Sequence, residues 1–397
     1  MTESAGHKTG KLGWIFPLGH GHQTQFLNFQ ECYPSELATR AEWIALRYAA
    51  PVDWIGRLPG VPNSLRVSSS LVLQIQQAIR ESGQLEALFF AGASPLFLPF
   101  FRQFPSYVYT DFTLSGLREL SPWYDHLVKS HPVVLAGKAL GSRLIFRAAV
   151  GAFAMSRWAA LSIQREYGLP DSRVHVVLPG ANLKRWQFVE RSNRAPGSPV
   201  RLLFVGGEFA RKGGDLLLDW AMQTQARNWE LDIVTWRDHL PAWMHDAQVQ
   251  QPAPDQQVSF SLGPRLPNVR VHCAVGPNSP TLLALYEAAD VFCLPTYADG
   301  SSIASLEAMA TGLPVLVGAV GGIPELIHDG ETGLLLRRGD QVDLADKLEW
   351  LIRDAPARWR LGRNARRSCE DHFNIERQLR DITSVIARDC PALAQPA

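Results

Sequence analysis

Short runs of apolar, often β-branched residues recur along the chain, and the segments between them carry apolar residues at helical spacing. Strand and helix periods alternating this way build parallel sheets with helices on both faces. In the first half, strands are predicted at residues 13–17, 51–58, 85–90, 106–111, 151–155 and 174–178. Helical spacing is read at 71–80, 95–104, 138–153 and 158–167, with Ser156 placed to cap the last. Residues 18–23, rich in Gly and His, form a loop before a further helix. The polar stretch 190–199 reads as a linker. Beyond it, strands are predicted at 200–206, 231–236, 269–273, 291–295 and 314–317, with helices at 215–225, 281–289 and 303–311. The fold class that follows is α/β: two Rossmann-like, doubly wound parallel-sheet domains, 1–195 and 196–375. The tail over 376–397 is helical and placed to return to the first domain. Sheets of this kind bind ligands at the carboxyl ends of their strands, so two of them facing across a cleft suit a reaction with two substrates.

Composition narrows the function. The 39 Lys+Arg balance 38 Asp+Glu, a net charge of +1, which argues against a dedicated nucleic-acid binder. A small anionic ligand needs only one or two local cations. The five cysteines are scattered, with no CxxC or Cys/His metal spacing, which reads as reduced thiols in a cytoplasmic protein. The N-terminus lacks the apolar core of a signal peptide. The most apolar stretch, 85–101, is broken by Gly and Pro, so no membrane span is expected. Peripheral association at a membrane face stays open, because 85–104 suits either a core strand and helix or a lipid-facing patch.

The chemistry concentrates in residues 290–333. A strand leads into a loop with Asp299, Gly300, Ser301 and Ser302, and then into a helix that starts at Ile303 and carries Glu307. Either serine is able to cap that helix, whose first N–H groups and positive dipole end suit a phosphate. Glu307, about one turn in, is placed to accept hydrogen bonds from sugar hydroxyls. A second element follows the strand at 200–206: Gly206 and Gly207, then Arg211 and Lys212. Glycine permits close backbone approach. Each residue also has a plainer reading. Glu307 is then a solvated helix acid, Asp299 a turn residue, Arg211-Lys212 a basic turn, and the arginines of 358–367 a solvated helix face.

These segments resemble the retaining glycosyltransferases of GT-B architecture known as glycosyltransferase family 4. Glu307-Ala308-Met309-Ala310 with Gly312, Pro314 and Val315 matches that family's E-A-M-A-x-G-x-P-V, and Gly321-Gly322-Ile323-Pro324-Glu325 its next motif. Asp299 stands where the family usually has Glu. Residues 205–214 resemble its V-G-R-L-x-x-x-K-G turn, and Val176–Trp186 its V-x-x-N-G-[VI]-D segment, with Asn182 for the usual Asp. The likeness is strong from about 154 to 373 and weak before 150.

The resemblance implies a metal-independent, retaining glycosyltransferase without a cofactor. It would move a sugar from a nucleotide-sugar donor to a hydroxyl acceptor: a glycan, a lipid-linked sugar, a protein or a small molecule. Gly206, Gly207, Arg211, Lys212, Ser301, Ser302, Ile303 and Glu307 would bind the donor; Trp236, by its place after a strand, is open to bordering the base or to the core role expected of most of the tryptophans. Asp299 would lie near the transferred sugar, with Arg211 and Lys212 on the leaving diphosphate. Asp111, His20 and His22 are candidates on the acceptor side, with surface or strand-end roles as the plainer alternative. An epimerase or hydrolase of the same fold, and a non-catalytic donor-binding homologue, are the rival readings.

Overall fold

The computed structural model describes residues 10–19, 21–48, 63–92, 94–124, 132–192, 197–244 and 257–393. The chain divides into two compact units. The first takes Met1–Arg118, Asp125–Leu178 and Glu376–Ala397; the second takes Glu119–Tyr124 and Pro179–Ile375. The division thus falls after Leu178 rather than near 195. The described part of the polar stretch 190–199 is built into the second unit. Arg191 is buried there and donates to the carbonyls of Ala289 (2.7 Å), Tyr286 (2.9 Å) and Thr311 (2.6 Å). An arginine tolerates burial when carbonyls satisfy its donors, and linker-like composition does not reveal such partners.

In the first unit, β1 (Lys11–Pro17), β2 (Ala41–Leu46), β3 (Leu85–Ala91), β4 (Ser106–Thr110), β5 (Gly151–Ala154) and β6 (Val174–Val176) form a parallel sheet in the order 2-1-3-4-5-6. Its helices are α1 (Gly21–Cys32), α2 (Asn63–Glu81), α3 (Leu98–Gln103), α4 (Leu114–Glu119), α5 (Pro132–Ala148) and α6 (Arg157–Tyr167). Both sheet faces are covered, so the strands read as continuous apolar runs. On one face Ile15, Leu88, Phe90 and Val108 pack with Leu71 and Ile75 of α2 and Ile145 and Phe146 of α5. On the other, Trp14 and Phe16 meet Phe29 of α1 edge-on. Ser156 caps α6, accepting from the Ala159 amide at 3.0 Å.

Several sequence readings change here. The second strand is β2; residues 51–58 lie outside the described residues. Helix α1 starts at Gly21, so His22 stands in its first turn rather than in a loop. Helix α5 stops at Ala148, because 151–154 belong to β5. Phe89, Phe90, Phe97, Phe100 and Phe101 are each at most 5 % exposed, so 85–104 is core and not a lipid-facing patch.

The second unit holds β7 (Val200–Val205), β8 (Trp229–Thr235), β9 (Val258–Ser261), β10 (Val269–Cys273), β11 (Val291–Leu294), β12 (Val315–Gly318) and β13 (Leu334–Leu336), in the order 13-12-11-7-8-10-9. All pairings are parallel except that of β9 with β10. Its helices are α7 (Gly214–Gln223), α8 (Pro280–Ala288), α9 (Ile303–Ala310), α10 (Gln341–Arg353) and α11 (Ala355–Asp371). The arginines of α11 are not simply a solvated face: Arg358 donates to the Leu351 and Ile352 carbonyls, and Arg366 to those of Trp186 and Ala310.

Helix α12 (Ile375–Asp389) buries Leu379, Ile382 and Ile386, and within the first unit its Gln378 donates to Tyr109 Oη at 2.6 Å. All five cysteines are buried and unbridged. Among the described residues no helix is long and apolar enough to cross a membrane.

Candidate functional site

The strand order of the second unit places a topological switch point between β7 and β11. Successive crossovers run from β7 outward through β8, then switch to β11 on its other side. At such a switch point the loops after the two central strands part and leave a crevice at their carboxyl ends. The loop after β7 carries Gly206, Gly207, Arg211 and Lys212; the loop after β11 carries Asp299, Ser301 and Ser302.

Backbone contacts hold these loops to each other and to the loop after β12. The Tyr297 amide donates to the Arg211 carbonyl at 3.0 Å, and the Gly322 amide to the Gly300 carbonyl at 2.9 Å. Two glycines make this approach possible. Gly213 has φ +80°, and a Cβ there would lie 2.1 Å from the Pro295 carbonyl oxygen. Gly321 has φ +54°, and its Cβ would lie 2.1 Å from the Asp299 carbonyl oxygen. An L side chain is strained at such φ and has no room in either place. Gly207 lies against the half-exposed indole of Trp236.

Three of the sequence-predicted residues meet in one charged cluster. Lys212 Nζ is ion-paired and hydrogen-bonded to Asp299 Oδ2, and Arg211 Nη1 lies 3.9 Å from Asp299 Oδ1. Asp299 is 6 % exposed, so it is a buried counterion and not a turn or cap residue. Arg211 also grips Glu208 with two bonds, Nε to Oε2 at 2.8 Å and Nη2 to Oε1 at 3.1 Å. Its Nη1 donates to the Ala298 carbonyl (2.6 Å) and to Tyr124 Oη (2.9 Å). Burial pulls the Arg211 guanidinium down, but Glu208 and Asp299 outweigh it and leave its pKa raised. At Lys212 burial wins over the attraction of Asp299, and the ammonium lies below its ordinary value. The cluster thus joins two cations, Arg211 and Lys212, to two acids, Glu208 and Asp299.

Helix α9 starts beside the Asp299 loop. Ser302 is its cap, accepting from the Ser305 amide at 3.3 Å. The first amides of a helix have no intrahelical acceptor, which leaves the Ile303 end suited to an anion. Glu307 is buried, at 4 % exposure. Its Oε2 accepts from Tyr286 Oη at 3.2 Å, while Oε1 is buried with no hydrogen-bond partner among the described residues. Burial lifts its pKa to about 8 against the smaller opposing effect of Tyr286. A buried acceptor without a donor costs free energy.

Two of the remaining candidates lie in the first unit. Asp111 follows β4 and is half-buried, and His22 stands in the first turn of α1; His20 lies outside the described residues. Asn182 Oδ1 accepts from the Lys184 and Arg185 amides, each at 3.2 Å, and so closes the turn in which it sits.

Glu208, Tyr124 and Tyr286 were not singled out in the sequence. Glu208 was open to discovery as an acid three residues before Arg211. The tyrosines touch their partners from 87 and 21 residues away, and no local pattern marks them.

Residues 199–354 match the family model described as Glycosyl transferases group 1. A D-inositol 3-phosphate glycosyltransferase of Corynebacterium aurimucosum is 33% identical over 207 residues, 49% of this chain and 47% of that protein. One of Nocardia farcinica is 29% identical over 236 residues, 57% of this chain and 50% of the relative. The chain thus aligns with about half the length of these curated relatives. Among solved structures, a sucrose-phosphate synthase of Thermosynechococcus elongatus superposes with a TM-score of 0.70 at 18% identity, covering 96% of this chain and 100% of that one. The Anabaena protein HepE, in complex with UDP and glucose, gives 0.66 at 14% identity, covering 96% and 100%. These likenesses identify the fold as GT-B.

Proposed function

We propose that this chain, whose residues 199–354 match the family model described as Glycosyl transferases group 1, is a retaining, metal-independent glycosyltransferase that moves a sugar from a nucleotide-sugar to a hydroxyl acceptor. The observation that carries this reading is the convergence of Arg211, Lys212 and Asp299 at the β7/β11 switch point, beside the start of α9. The leaving nucleoside diphosphate gains negative charge as the glycosidic bond breaks. Lys212, Arg211 and the first amides of α9 stabilise that charge with groups already in place. Glu307 Oε1 accepts a ribose hydroxyl, the base borders Trp236 beside Gly207, and Asp299 orients Lys212 beside the transferred sugar. Retention is the family's outcome, and no side chain is assigned as a covalent nucleophile. On the acceptor side, Asp111, His20 and His22 are the candidates to receive the hydroxyl proton. The acceptor class is a glycan, a lipid-linked sugar, a protein or a small molecule.

A cytoplasmic location with peripheral membrane association belongs to the same proposal. Its support is α5, where Val133 (72 % exposed), Leu140 (61 %) and Leu144 (41 %) share one face beside Arg143 and Arg147. A donor-binding homologue without turnover is the second reading. It is favoured by Asp299, one methylene shorter than the family's Glu and held by Lys212. The test incubates the protein with nucleotide-sugars, with and without acceptor extracts, in EDTA and in added Mg²⁺. Transfer that EDTA leaves unchanged supports the proposal; donor binding without release of nucleoside diphosphate supports the second reading. Loss of activity in EDTA contradicts metal independence.

A further inference from the structure

Six residues, Glu119–Tyr124, group with the second unit, although the chain on either side, up to Arg118 and from Asp125, groups with the first. Three contacts fasten them there. Arg338 Nη2 donates to the Ser121 carbonyl at 3.0 Å. The Trp123 ring stacks on Tyr297, with centroids 4.7 Å apart and planes at 18°. Tyr124, 7 % exposed, accepts from Arg211 Nη1 at 2.9 Å, with its ring centroid 5.0 Å from the Arg211 Cζ. Tyr297 and Arg338 follow β11 and β13, and Arg211 follows β7, so the segment rests on the same sheet end as the donor cluster.

The contact matters because of how Arg211 is committed. A guanidinium has five N–H donors in a fixed plane. Nε and one Nη2 hydrogen go to Glu208, and Nη1 serves Ala298 and Tyr124. Among the described residues this leaves one Nη2 N–H for a ligand oxygen. Glu208 fixes one edge of the plane, and Tyr124 with Ala298 fixes the other. The position of the phenol therefore decides where the last donor points.

We propose that Tyr124 is a positioning residue for the donor diphosphate: its hydroxyl and ring hold the Arg211 guanidinium so that the remaining Nη2 N–H faces a phosphate oxygen. The inference rests on Arg211 and Lys212 forming the diphosphate site. It adds a residue from the earlier part of the chain, far in sequence from the glycine-rich turn. Tyr124→Phe keeps the ring over Arg211 and removes only the acceptor.

Calorimetric titration of the full chain with UDP, GDP, ADP and dTDP, and with the matching nucleoside monophosphates, tests this. For the nucleotide that binds wild type, Tyr124→Phe is expected to raise the Kd of the diphosphate about threefold to tenfold, part of the effect of one hydrogen bond to a charged donor. The monophosphate Kd and the melting temperature stay within error. Tyr124→Ala weakens the diphosphate further, and Lys212→Ala weakens it most. Equal diphosphate affinity in Tyr124→Phe and wild type overturns the proposal while Lys212→Ala still reports on the site. Equal weakening of mono- and diphosphate makes the role merely structural and also overturns it, and tighter binding in Tyr124→Phe would make the segment a cover. If no nucleoside diphosphate binds wild type, the donor-site reading fails, and this inference with it.

Discussion

Glu307 offers a measurable consequence of burial. Its carboxyl has one hydrogen bond, from Tyr286 at 3.2 Å, and one oxygen without a partner among the described residues. Burial raises its pKa from 4.5 to about 8. The folded state thus holds a proton that the unfolded chain releases near pH 4.5. A group raised in this way supports the fold fully below its unfolded pKa, and that support is lost as pH rises through the folded value. Between those limits the loss is about 1.4 kcal/mol per pH unit. Glu307→Gln keeps the shape and cannot ionise. Chemical unfolding of the second unit should therefore show the variant gaining on wild type by about 2–3 kcal/mol between pH 6 and pH 9, from the same linkage arithmetic. Stability curves that stay parallel over that range would refute the buried, protonated Glu307. The same reasoning applies to binding. A ribose hydroxyl donating to Oε1 favours the ionised form, so donor binding near pH 7 should release up to one proton, seen as a buffer-dependent binding enthalpy.

Other expectations follow from the same geometry. Gly213→Ala places a Cβ against the Pro295 carbonyl at a φ of +80°; a loss of about 2–4 kcal/mol in unfolding free energy is expected. Arg191→Ala leaves the carbonyls of Ala289, Tyr286 and Thr311 without this donor and should cost about 3 kcal/mol in the same assay. Asp299→Asn removes the counterion of a buried ammonium. It should lower kcat at least about tenfold near pH 8 and less at pH 6, because Lys212 then loses its proton more easily.

Both sheets were legible because parallel strands buried on two faces leave continuous apolar runs such as residues 200–205. Elements outside that pattern were missed for physical reasons. Strand β9 alternates half-buried with exposed residues at a sheet edge, and β13 has only three residues. Residues 190–192 look like a linker until the carbonyls around Arg191 are seen. The candidate site was legible where its residues are local in sequence: Lys212 beside a glycine turn, and Glu307 one turn into a capped helix. It was not legible where partners converge from afar. Tyr124 reaches Arg211 and Tyr286 reaches Glu307 only after folding, and neither carries a spacing signature. Asp299 was recognised as a motif position, but its commitment to Lys212 depends on two loops meeting at the switch point.

The central claim is that the Arg211–Lys212–Asp299 cluster stabilises a departing nucleoside diphosphate. Its most direct test is release of nucleoside diphosphate from UDP-, GDP-, ADP- and dTDP-sugars by wild type and Lys212→Ala, with binding of each donor measured in parallel. One donor should be turned over by wild type, and kcat should fall about 10²–10³-fold in the variant, as when one preorganised charge-stabilising donor is removed. No binding and no turnover of any donor, or equal turnover by the two proteins, would contradict the account.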